Sequence, residues 1–224
     1  MSDVDVVVDD DPAAVVAGML ASAARAGGHI VLTGGSTPAV AYEQAAALER
    51  DWSRTELWWG DERCVPPDDD QSNFGMAKRT LLDHLEVQPS AVHRMRGELG
   101  RDGGAEEYDR ELGDLARFDV VLLGLGPDGH VASLYPDQPT LNETERRVIG
   151  AEAHLEPFVD RITLTLPMLR AARAVVFLVS GADKADACAC AFAGEPSRST
   201  PGSLARAISG TTTAVLDPAA ASKL

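Results

Sequence analysis

Apolar residues along this chain fall into short unbroken runs, separated by alanine-rich or amphipathic stretches and punctuated by glycine, proline and acidic clusters. The runs at residues 4–8, 29–33, 56–59, 120–123, 174–179 and 211–216 are rich in Val, Ile, Leu and Trp. All are read as strands, and Val120 to Leu123, continuously apolar, as one buried on both faces of a parallel sheet. Shorter strands are expected at 92–95 and 148–151, and residues 160–165 lead into a short helix near 167–171. The intervening patterns predict helices over 12–26, 39–50, 74–85, 105–116 and 184–193, with a last short one at 203–208. Asp11-Pro12 and Pro38 are helix-start signals, Gly27-Gly28 ends the first helix, and Gly103-Gly104 marks a break before the helix at 105–116. Residues 60–73 read as a long polar loop. This alternation favours an α/β fold with helices on both faces of a mainly parallel sheet. With no repeat, low-complexity tract or linker, residues 1–224 are expected to form a single domain.

Chemistry gathers where the apolar runs stop. The run at 120–123 gives way to Gly124-Leu125-Gly126-Pro127-Asp128-Gly129-His130, which puts an acid and an imidazole at the carboxyl end of a central strand. Ligands of open α/β sheets bind at such ends. His130 is therefore the leading acid–base candidate, although a histidine tying down a loop would look the same in sequence. After the run at 29–33, Gly34-Gly35-Ser36-Thr37-Pro38 offers either a phosphate cradle at a helix N-terminus or a simple capped turn. It lacks the spacing and the terminal Lys-Ser/Thr of a Walker A loop. Asp61 and Arg63 follow the run at 56–59; Arg63 can hold an anion or a hydroxyl, or the two can pair with each other. Lys184 opens a helix, where a cation opposes the dipole unless it reaches an anion.

Two further readings of the glycine motif carry less weight. It matches G-x-G-x-x-G, but Pro127 lies inside it and Pro136 and Pro139 follow instead of a long helix, which argues against a dinucleotide. A metal on Asp128 and His130 would lack further His or Cys ligands. No cofactor and no metal are expected.

The 224 residues carry 35 acidic and 20 basic side chains, a formal charge of -15. That balance disfavours nucleic-acid binding, and an anionic ligand would need a locally positive pocket. Cys64, Cys188 and Cys190 lack zinc-type spacing and are expected as reduced thiols in the cytoplasm. The N-terminus lacks a signal-peptide pattern and no apolar run approaches membrane-spanning length. The oligomeric state is left open, with a monomer compatible.

Taken in order, Thr33-Gly34-Gly35-Ser36-Thr37-Pro38, Trp59-Gly60-Asp61-Glu62-Arg63, Gln71-Ser72-Asn73 and the segment Gly124 to Pro136 closely resemble 6-phosphogluconolactonases. Arg161-Ile162-Thr163-Leu164-Thr165 and Ser180-Gly181-Ala182-Asp183-Lys184 extend the resemblance over nearly the whole chain. It implies a three-layer α/β/α fold with a mainly parallel, Rossmann-like sheet, shared with glucosamine-6-phosphate deaminases. The implied reaction is hydrolysis of 6-phosphoglucono-1,5-lactone to 6-phosphogluconate in the pentose phosphate pathway. His130 is then expected as the base, with Asp128 or Asp61 orienting the imidazole or the substrate. Gly34, Gly35, Ser36, Thr37, Arg63, Asn73, Arg161 and Lys184 are the expected phosphate or sugar contacts. The deaminase pattern carries Phe-Asn-Glu-Pro after its Gly-His segment, whereas this chain carries Ser133-Leu134-Tyr135-Pro136, without the carboxylate expected for ring opening. A non-catalytic sugar-phosphate sensor is a further alternative, but no basic helix-turn-helix segment precedes the domain.

Overall fold

The computed structural model describes residues 3–154, 156 and 158–224. In chain order, the first half runs β1 (Val4–Val8), α1 (Pro12–Ala26), β2 (Gly28–Leu32), α2 (Ser36–Leu48), β3 (Thr55–Trp59), β4 (Asp61–Arg63), α3 (Asn73–Thr80), β5 (Ala91–Val92) and α4 (Gly100–Leu112). The second half runs β6 (Val120–Leu123), β7 (Val148–Ala151), β8 (Arg161–Leu164), α5 (Leu166–Arg170), β9 (Ala174–Val179), α6 (Ala185–Cys188), α7 (Pro201–Leu204) and β10 (Thr211–Leu216).

The predicted apolar runs pair in parallel as a seven-stranded sheet of order β1-β10-β9-β6-β2-β3-β5. Burial explains their composition: Ile30 to Leu32, Val121 to Leu123 and Val175 to Val179 are almost wholly removed from water, as expected of strands covered on both faces. Helices flank this sheet in a three-layer α/β/α arrangement. From β2 the chain steps outward to β3 and β5, then crosses to β6 and steps the other way to β9 and β10. The winding reverses between β2 and β6, which opens a crevice at their carboxyl ends.

Two buried tyrosines fix the strand ends that border this crevice. Tyr42 of α2 accepts a hydrogen bond from the Thr33 N–H at 2.9 Å and donates to the Thr33 carbonyl at 2.8 Å. Tyr108 of α4 does the same for Trp59, at 2.8 and 3.2 Å. Each hydroxyl thus satisfies backbone groups that a buried strand end would otherwise leave unpaired. Burial pushes both phenols above their ordinary pKa, so both stay protonated and can donate.

A second, antiparallel sheet of order β4-β8-β7 was not expected. Its β4 lies inside the stretch read as a polar loop, and it pairs Asp61 with Thr163 and Arg63 with Arg161. The glycines read as a break before the fourth helix lie inside α4 instead. A side chain on Gly104 would come within 2.2 Å of Ile162 Cδ1, so the missing side chain lets α4 approach β8. Several ends also differ. The helix expected over 74–85 stops at Thr80 and continues as a 3-10 turn at Leu82–His84, and the strand expected at 92–95 is only Ala91–Val92. The helix expected over 184–193 is a 3-10 turn at Ala182–Lys184, then α6, then a π turn at Ala189–Ala193. The last short helix begins at Pro201, two residues before the expected start. Among the described residues, no helix is long and apolar enough to cross a membrane.

Candidate active site

At the carboxyl ends of β2, β3, β6 and β9 lies a cleft of about 330 Å³. Gly34, Gly35, Ser36 and Thr37 line it from the β2–α2 turn, Asp61 and Arg63 from β4, Asn73 from the start of α3, and His130 from the turn after β6. Arg161 of β8 and Lys184 complete the set, so every predicted site residue except Asp128 borders the cleft. Asp128 reaches it through His130.

The turn after β6 is closed by hydrogen bonds from the Gly126 N–H to the His130 carbonyl and from the Gly129 N–H to the Gly126 carbonyl, both at 2.9 Å. Asp128 Oδ1 lies 2.5 Å from His130 Nδ1 and also accepts from the His130 backbone N–H at 3.2 Å. A side chain on Gly126 would lie 2.0 Å from His130 Nδ1, so this pair can form only above a glycine. A carboxylate on Nδ1 places the proton there and leaves Nε2 as the free, proton-accepting nitrogen. Partial burial raises the Asp128 pKa, but the hydrogen bond and charge of His130, with backbone N–H groups, outweigh it and hold the carboxyl below its ordinary value. The Tyr135 ring stands 5.1 Å from the imidazole, centre to centre.

Sequence alone left open which carboxylate supports His130, and the geometry gives that place to Asp128. Asp61 has different partners: its Oδ2 accepts from Ser133 Oγ at 2.7 Å, and Asn73 Nδ2 donates to its backbone carbonyl at 2.8 Å and to Oδ1 at 3.3 Å. Asn73 is itself set by the neighbouring acid. Glu62, buried against the start of α3, accepts from the N–H groups of Arg63, Asn73 and Phe74 and from Ser72 Oγ, all within 2.7–2.9 Å. Burial pushes the Glu62 pKa up more than these donors pull it down.

The alternative of an Asp61–Arg63 pairing is not what holds Arg63, whose Nη1 donates to the Gln71 carbonyl at 2.5 Å. Arg161 is buried and its Nε donates to the Val159 carbonyl at 2.9 Å. Lys184 Nζ sits 3.5 Å from Asp183. Three cations thus border one cleft of a chain whose net charge is -15. In the same cleft, Gly35 at the N-cap of α2 provides no side-chain cap, which leaves first-turn N–H groups available to an anion. The G-x-G-x-x-G segment, by contrast, leads into turns, and only a 3-10 turn at Pro139–Asn142 follows it before β7, so no α-helix N-terminus meets a pyrophosphate there. Among the described residues, no group of three or more His, Cys, Asp or Glu is arranged to hold a metal ion.

Sequence reasoning did not single out Tyr135, Glu156 and Ser180, which also line the cleft. Nor did it assign a role to Ser133, which is fully buried behind Asp61. Ser133 and Tyr135 lay in the recognised motif, but only the fold turns one inward and the other across His130. Glu156 lies between β7 and β8, where no local pattern marks it.

A profile of the family described as glucosamine-6-phosphate isomerases/6-phosphogluconolactonase matches residues 8–214. A 6-phosphogluconolactonase of Mycobacterium leprae is 43% identical over 216 residues, covering 90% of this chain and 87% of that protein. One from Streptomyces coelicolor is 42% identical over 220 residues, covering 90% and 84%. The crystal structure of 6-phosphogluconolactonase from Thermotoga maritima superposes with a TM-score of 0.84 at 28% identity, over 97% of this chain and all of that one. The chain therefore belongs to the glucosamine-6-phosphate isomerase/6-phosphogluconolactonase family.

Proposed function

We propose that this chain hydrolyses 6-phosphoglucono-1,5-lactone to 6-phosphogluconate, the lactone-opening step of the pentose phosphate pathway, with His130 as the base. The observation that carries the mechanism is the imidazole whose Nδ1 is held by Asp128 at 2.5 Å while its ring borders the cleft. Neutral His130 takes a proton from water through Nε2 as the water oxygen bonds to the lactone carbonyl carbon. The resulting oxyanion is met by backbone N–H groups of the glycine turns. On collapse, the bond from that carbon to the ring oxygen breaks, and the imidazolium returns its proton to that oxygen. One imidazole can thus take the proton in the first transfer and return it in the second. Asp128, ionised, steadies the imidazolium between them.

The phosphate is assigned to Lys184, Arg63 and the start of α2, with Gly34, Gly35, Ser36 and Thr37 forming the turn and Arg161 contributing positive charge. The same reading makes residues 1–224 a single cytoplasmic domain whose partner is a small phosphorylated lactone, without nucleic acid; a monomer is sufficient for it, since every residue invoked comes from one chain. The family also holds isomerases. Against that activity stands Tyr135, packed on His130, where the deaminase pattern has its glutamate. Two assays on the wild type separate the readings: lactone opening measured above the spontaneous rate, and ammonia release from glucosamine 6-phosphate. Lactone opening without ammonia is expected; ammonia release without lactone opening would reverse the assignment.

A further inference from the structure

Asp61 borders the cleft but is not bonded to His130, so it has a task of its own. It is 6% exposed and receives Ser133 Oγ at 2.7 Å and Asn73 Nδ2 at 3.3 Å. A carboxylate has about four lone-pair sites, so these two bonds leave capacity for a ligand. An ionised carboxylate only accepts hydrogen bonds: it attracts sugar hydroxyls and repels a phosphate.

Ser133 is built to hold that carboxylate in one place. Its backbone N–H donates to Thr163 Oγ1 at 3.2 Å, and Thr163 pairs with Asp61 across β4 and β8. The residue before it, Ala132, has a φ of 48°, a left-handed conformation that is costly for a residue with a side chain. The strained turn carries the chain from His130 in the cleft to Ser133 beneath Asp61, so one side-chain bond links the base's own loop to the carboxylate.

We propose that Ser133 is a positioning residue: it fixes Asp61 as the acceptor for ring hydroxyls of the phosphorylated lactone, and so sets where the carbonyl lies relative to His130. The inference rests on the lactonase reading. Asp61 also gives the cleft a polarity, with hydroxyls drawn to it and the phosphate driven toward the cations.

A double-mutant cycle tests this. Wild type, Ser133→Ala, Asp61→Asn and the double variant are compared in kcat/KM for lactone hydrolysis and in affinity for 6-phosphogluconate, with folding checked by thermal denaturation. Loss of a hydrogen bond to a charged group is worth about 10- to 100-fold, so Ser133→Ala should lose that much in kcat/KM and weaken product binding. In the Asp61→Asn background the same change should cost less than about 2-fold. Equal losses in both backgrounds, or no loss in either, would overturn the proposal. Should Asp61→Asn turn over too slowly to measure, the binding arm carries the cycle by itself. Should Ser133→Ala not fold, Ser133→Cys, with similar volume and a weaker donor, takes its place. A wild type that opens no lactone would instead remove the functional reading, and this inference with it.

Discussion

His130 and Asp128 divide the work of one base. The carboxylate fixes the imidazole's tautomer and tilt, and the imidazole moves the proton. Because the folded-state pKa of Asp128 is depressed, the stabilisation it supplies is present above the ordinary carboxylate value and is lost as pH falls through the depressed one. The pair is therefore intact across the neutral range and fails only in acid. Asp128→Asn keeps the shape but removes the charge that steadies the imidazolium. Its kcat should fall by about 10²- to 10⁴-fold with KM little changed, as steady-state kinetics on the lactone would read. Cys64, close to the same site, is no rival nucleophile, since burial pushes its thiol up to about 11 and leaves almost no thiolate near neutrality.

At the scale of elements, the cleft depends on how strands end. Trp59 closes β3 beyond the reach of the two-residue β5, so its backbone turns to the Tyr108 hydroxyl instead. Removing that hydroxyl leaves buried backbone groups without partners, at about 1–3 kcal/mol. Tyr108→Phe should therefore unfold at lower temperature or denaturant concentration by that margin, and it should also raise KM, because Gly60 and Asp61 follow directly. Strands β2, β3, β6 and β9 were legible in the sequence because each ends on an unbroken apolar run. The second sheet was not. Asp61, Glu62 and Arg63 show no apolar alternation, and their partner β8 lies about a hundred residues away in sequence, so nothing local announces the pairing. Gly103-Gly104 misled for a related reason: within α4, Gly104 serves close packing against Ile162 of β8, a tertiary contact, and not a local break.

For the whole molecule, the reversal of winding between β2 and β6 draws residues from six separated segments into one cleft, and gathers three cations there in an acidic chain. Most of the candidate residues could be read from the sequence because they sit just past apolar runs, whereas Asn73 and Arg161 came only with the family resemblance. Their division of labour could not: choosing Asp128 over Asp61 for the imidazole required the turn geometry, and Ser133 became visible only once β4 and the loop after β6 were brought together. The central claim is that this assembled cleft opens a phosphorylated lactone through His130. The most direct test is the rate of 6-phosphoglucono-1,5-lactone hydrolysis by wild type and by a His130→Ala variant of unchanged thermal stability, after subtraction of the spontaneous reaction. A fall of about 10²- to 10⁴-fold in the variant is predicted; turnover close to wild type would contradict the account.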